Sequence, residues 1–198
     1  MRKTMTKIGL LGGLAALLSL PALAQAAGYE ASRDANQQRM IQQGLQNGSL
    51  STGEAARLEQ GESRIDRMQG AANRNGSVSA QEAARIDRAQ DAQHRAIAGA
   101  EHNDVRGNPN SPSSRRMQAD AARDAHQQQR IANGVQHGQL TNREAGRLEH
   151  REAHLDRRES RAGRDGHVGP HEQHGIQRQA NRDSRAIHHD RHDDRVRG

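Results

Sequence analysis

The chain contains itself twice. The stretch "RDANQQRMIQQGLQNGSLSTGEAARLEQGESRIDR" from Arg33 aligns without a gap with "RDAHQQQRIANGVQHGQLTNREAGRLEHREAHLDR" from Arg123, a shift of 90 residues. The register holds through Gly76/Gly166, Val78/Val168, Glu82/Glu172 and Ile86/Ile176 to the "RAI" at Arg95 and Arg185. About 30 of roughly 72 aligned positions are identical, more than shared composition supplies. Whatever one copy folds into, the other must be able to adopt too. Between them "VRGNPNSPSSRR", residues 105–116, carries the Asn-Pro and Ser-Pro steps of a linker. Two modules are therefore expected, at 30–104 and 117–194, followed by a short tail at 195–198.

Four turns share one formula: "NGSLSTGE", "NGSVSAQE", "HGQLTNRE" and "DGHVGPHE". Asn, His or Asp before Gly suits a helix end, because Gly enters the left-handed region at little cost. Ser51, Ser79 and Thr141 can cap the next helix while Glu54, Glu82 and Glu144, three residues on, close a capping box. The fourth turn has Gly169 at the cap and Pro170 at the first helical position, which is tolerated there. In the following segments Ala55, Leu58, Ile65 and Ala72 recur at three- and seven-residue steps, as do Ala145, Leu148, Leu155 and Ala162. Glu62 and Glu152 fall in the slot between them, which predicts a weak seam. Ile41 and Leu45 mark the preceding helix, Ile86 and Ile97 the following one. The expected fold is all-α: two tandem up-down-up three-helix modules after an N-terminal signal peptide.

That signal is "MRKTMTKIGLLGGLAALLSLPALAQA", residues 1–26, with a basic start, an apolar run from Ile8 to Leu20 and small residues before Ala24 or Ala26. The run is shorter than the ~20 apolar residues that span a bilayer, so cleavage and a periplasmic or secreted product are expected, with no membrane partner afterwards. The chain has no Cys to brace it, no Trp or Phe, and one Tyr, so apolar burial will be thin. Without Arg2, Lys3 and Lys7 the 30 basic residues fall to 27 against 24 acids, a net charge of +3. In runs such as "LEHREAHLDRRESR" arginines alternate with acids, the pattern of a solvated helix surface, and no nucleic-acid partner is expected.

The turns resemble EF-hand loops from the loop's middle onward, with Gly at the sixth position, an aliphatic at the eighth and Glu at the twelfth. That resemblance implies calcium ligands at Asn73, Asn75 and Glu82 in the loop from Ala71, and at Asp165 and Glu172 in the loop from Arg161. Ala71 and Arg161 stand where the family has its first Asp, so the carboxylates are fewer than calcium normally takes. "LSTGEAARL" and "LTNREAGRL" are also similar to the LTxxQ motif of small helical periplasmic chaperones and metal-responsive proteins, with Glu54 and Glu144 in place of the Gln.

Ten of the 12 histidines lie in the second copy or its tail. His150 and His154 are one helical turn apart, and His167, His171 and His174 follow a 4, 3 spacing. His188, His189 and His192 stand among Asp190, Asp193 and Asp194 in "HHDRHDD". Imidazoles at i and i+4 can chelate a borderline cation, with carboxylates completing a site for Zn, Ni or Cu(II). The expectation is an exported helical protein that binds divalent transition metal weakly through its His-rich second module, as a buffer or stress protein. The alternative is a metal-independent, chaperone-like protein that contacts another protein or its own copy as a dimer. No nucleophile stands beside a base in a known motif, and no enzymatic activity is expected.

Overall fold

The computed structural model describes residues 20–193; residues 1–19, where most of the expected signal peptide falls, Asp194 and the tail 195–198 lie outside them. The described residues form six α-helices and no strand: α1 (Leu20–Asn47), α2 (Thr52–Ala72), α3 (Ala80–Glu101), α4 (Pro112–Gln136), α5 (Asn142–Ala162) and α6 (Pro170–Arg191). No helix among the described residues is long and apolar enough to cross a membrane.

The four turns are built as their letters predict. Gly48, Gly76, Gly138 and Gly166 have φ of 79°, 89°, 65° and 83°, the left-handed region that ends a helix. Ser51, Ser79 and Thr141 each accept from the backbone N–H three residues on, and Glu54, Glu82 and Glu144 accept from the cap N–H in return. At Gly169 only the second half survives, with its N–H donating to Glu172 at 2.8 Å. The linker is short and packed: Gly107 N–H donates to Gly48 O at 2.9 Å, and α4 already starts at Pro112 behind the Ser111 cap.

Helices that correspond between the copies pair with each other. α1 makes its most extensive packing with α4, and α2 with α5. Both pairs are antiparallel: Gly28 in early α1 meets Gln136 at the end of α4, and Gln118 in early α4 donates to Leu45 O in late α1. Small residues let α2 and α5 cross closely. Ser63 Oγ donates to Ala153 O at 2.8 Å, and these two positions are themselves 90 apart, so a pseudo-twofold relating the copies passes near this contact. On either side Ala56 meets Gly163, and Asn73 meets Gly146, one Cβ being absent at each crossing.

The twofold also builds the core. One apolar cluster gathers Ile41, Leu45, Leu50, Leu58 and Ile97 with Met117 and Ala121. A second gathers Ile131, Val135, Leu140, Leu148 and Ile187 with Ala27 and Ala31. Each member of the second list is 90 residues from a member of the first. Each of these clusters thus adds the start of the other copy's first helix to one copy's residues; the first also takes in Leu155, Ala162, Val168, Ile176 and Ala180 of the second copy, whereas Ala72, Val78 and Ile86 form a small third cluster. Along α1 the buried side chains run from Ala27 and Ala31 through Asp34, Gln37 and Gln38 to Ile41 and Leu45. Apolar layers therefore flank a polar middle, and that middle holds the candidate site.

Candidate metal centre

Carboxylates fill the middle of the four-helix arrangement α1, α2, α4 and α5. Glu59 from α2, Asp124 from α4, and Asp156 and Glu159 from α5 are all buried, each offering an oxygen within 4.8 Å of the others. Asp34 from α1, Asp66 from α2 and Glu149 from α5 form a second group under the same limit. The second group is the first seen through the twofold: 34/124, 59/149 and 66/156 are each 90 apart. The fourth position, Glu159, corresponds to Gln69.

That one difference changes how the two groups are satisfied. In the second group Gln69 and Gln90 amides both donate to Asp34 at 2.7 Å, and Gln128 donates to Asp66 and Glu149. Within its three carboxylates, only Asp66 Oδ1 is buried without a partner. In the first group a single amide, Gln38, donates to Glu59. Glu59 Oε1, both oxygens of Asp124, Asp156 Oδ2 and both oxygens of Glu159 are buried and have no hydrogen-bond donor. Six buried oxygens without a donor are costly unless a proton or a cation joins them. Asp124 and Glu159 lie close enough to share one proton.

The electrostatics follow from burial without counter-charge. Among the described residues no ion pair reaches a member of either group. Desolvation, reinforced by neighbouring carboxylates, holds Asp66, Asp124, Glu149, Asp156 and Glu159 well above the ordinary carboxylate range. Glu59 is pushed up to about 7 by burial, against the opposing Gln38 hydrogen bond. Asp34, also raised by burial, reaches only about 6 because two amides favour its ionised form.

An all-oxygen donor set selects hard cations such as Ca²⁺, Mg²⁺ or Mn²⁺ over Zn²⁺ or Cu²⁺. A calcium ion ~2.4 Å from each ligand spans opposite oxygens about 4.8 Å apart, the limit within which the four oxygens of the first group lie. Up to four negative charges exceed what a divalent ion neutralises, so uptake would still leave a proton in the cluster or admit a higher-valent ion.

The residues singled out by sequence are elsewhere. Asn75 accepts from Ser77 N–H, Asp165 from His167 N–H, and Glu82 and Glu172 from the backbone at residues 79 and 169, so these groups close their own turns. Buried Asn73 donates to Gln69 O. The turns of a copy lie at opposite ends of α2 or α5 and do not face one another. His188 and His192 stack on the exposed face of α6 with centroids 4.4 Å apart, and His189 Nδ1 lies 3.2 Å from Asp190. Asp193 follows just beyond the helix end. His167 pairs with Ser113, and His171 and His174 lie exposed on early α6. His150 packs against Gly70 on α2, where burial first and then Arg74 and His154 depress its pKa, while His154 is exposed.

The seven clustered carboxylates were not among the residues singled out. For six of them the signal was present: Asp34/Asp124, Glu59/Glu149 and Asp66/Asp156 are identical in both copies, while neighbours such as Gln60/His150 differ. Compared with protein-family models, curated proteins and solved structures, the chain matches none.

Proposed function

We propose that this protein binds a hard divalent cation in the Glu59/Asp124/Asp156/Glu159 cluster, and that the ion or its replacement by protons governs how stable the fold is. The observation that carries the reading is the set of six buried, donor-less carboxylate oxygens drawn from three helices of both copies. Ligands so distributed tie metal binding to assembly of the copies, as expected where binding and folding are one equilibrium. Taken together with the expected leader at 1–26, the proposal is an exported cation-binding or cation-buffering protein.

Calorimetric titration of the metal-free protein with calcium, magnesium and manganese, repeated on Glu159→Gln, tests this. One saturable site, lost in the variant, supports it; no heat with any of the three ions at micromolar to millimolar concentration refutes it. A second site of different chemistry is proposed on α6, because His188 and His192 stand side by side on one exposed face. There zinc, nickel or copper(II) would bind weakly. Loss of that binding in His188→Ala/His192→Ala, with the calcium site intact, separates the two.

A further inference from the structure

The fold sorts charges that the sequence interleaves. Fourteen of the chain's 24 Asp and Glu residues are buried, whereas no arginine among the described residues is. Burial keeps many of those acids neutral or turned inward, so the outer surface is more cationic than the net charge of +3 that remains without Arg2, Lys3 and Lys7. The excess is concentrated on α5. A groove of about 600 Å³ between α5 and α6 is lined by Arg157, Arg158, Arg161 and Arg178, with His154 and His171 on its walls. A second groove of about 300 Å³ between α2 and α5 is lined by Arg64, Arg67 and Arg164, and again by Arg157 and Arg161. The two grooves therefore meet along one ridge.

Among the described residues these guanidiniums have little to pair with. Among the described residues, Arg151 alone of the arginines lining the two grooves makes an ion pair, to Asp183 at 3.2 Å. The one acid on the walls, Glu172, is committed to the Gly169 N–H. Arg157 Nε is buried without a partner, and Gly175 opens the space in which Arg158 lies against α6. Seven guanidiniums held together by helices repel one another, and an anion entering the grooves relieves that repulsion while each fork can donate two hydrogen bonds to a phosphate.

We propose that the joined arginine grooves bind a linear inorganic phosphate polymer. A single small anion reaches one groove only, while a chain of repeated charges engages both across the Arg157/Arg161 ridge. Single-stranded nucleic acid is disfavoured by composition, since base recognition there relies on aromatic stacking and the chain offers only Tyr29, on α1. The site is independent of the buried carboxylates and uses none of them.

The test is binding of the full chain to inorganic polyphosphate of defined length in metal-free buffer, with pyrophosphate, orthophosphate and duplex DNA of equal charge as parallel probes. Polyphosphate is expected to bind more tightly than pyrophosphate, orthophosphate or DNA, and to weaken as salt rises. Arg157→Gln/Arg161→Gln is expected to lose at least about 10-fold in affinity, while Arg88→Gln on α3 leaves it unchanged. Both variants should keep the wild-type thermal midpoint within a few degrees, and an Arg157→Lys/Arg161→Lys variant with intermediate affinity guards against a folding artefact. Equal loss from Arg88→Gln, no loss from the double variant, or tighter binding of DNA would each overturn the proposal.

Discussion

Replacing Glu159 by Gln should push stability and cation binding in opposite directions. The twin position supplies the template: Gln69 donates to Asp34 at 2.7 Å, whereas Glu159 faces Asp124 with no proton to give unless one is borrowed from solvent. In Glu159→Gln the amide becomes the missing donor to Asp124. A hydrogen bond to a charged acceptor contributes about 1.5–3 kcal/mol net, and in a chain of this size each kcal/mol moves the midpoint by roughly 2–4 °C. The metal-free variant should therefore melt about 3–12 °C above wild type at neutral pH. With cation at about 100 times its dissociation constant, wild type gains about 2.7 kcal/mol by linkage, and the variant should gain none. Differential scanning fluorimetry with and without calcium or manganese, after chelator treatment, reads both effects. A variant that is less stable without metal and still responds to the ion would refute the reasoning, because the cluster would then be structural.

The same asymmetry predicts that Gln69→Glu installs a four-carboxylate site in the second group. Calorimetric stoichiometry should rise from about one ion to two, with the metal-free protein losing stability. Without metal, stability should fall as pH rises. Asp34, Glu59 and Glu30 are raised by burial to about 6, 7 and 8, so each contributes stability that is complete below its unfolded value near 4 and disappears as pH passes its folded value. Urea midpoints should therefore be higher at pH 5 than at pH 8, and saturating cation should narrow the difference. Gly146→Ala puts a Cβ 2.8 Å from that of Asn73 at the α2/α5 crossing, and overpacking of that kind costs about 1–3 kcal/mol, readable in the same urea titration.

The helices and their turns were legible because their causes are local. A capping Ser or Thr with Glu three residues on, and Gly where φ must be positive, act within one turn of chain, and the observed ends match them. The duplication was equally plain. What the sequence did not disclose is how the copies meet, since an antiparallel crossing at Ser63 and Ala153 depends on small residues that also suit any helix surface. Acids alternating with arginines have the look of a solvated face, and that look hid the site. With Glu62 fully buried, the gap in the apolar seam is the edge of an interior polar layer.

That layer also explains why so thin a hydrophobic core accompanies so many buried carboxylates. Apolar burial is confined to three separate clusters, and the centre, where all four principal helices converge, is given to groups that oppose folding while ionised and unpartnered. A pure scaffold would gain stability by replacing them with aliphatic residues of similar volume. The retention of four identical acid pairs through duplication is therefore the opposite of what stability alone favours. The replacement of Glu by Gln on one side only shows the amide solution to be accessible to this backbone. One copy carries the self-satisfied arrangement and the other keeps its oxygens open, as expected if the open one is kept for a ligand.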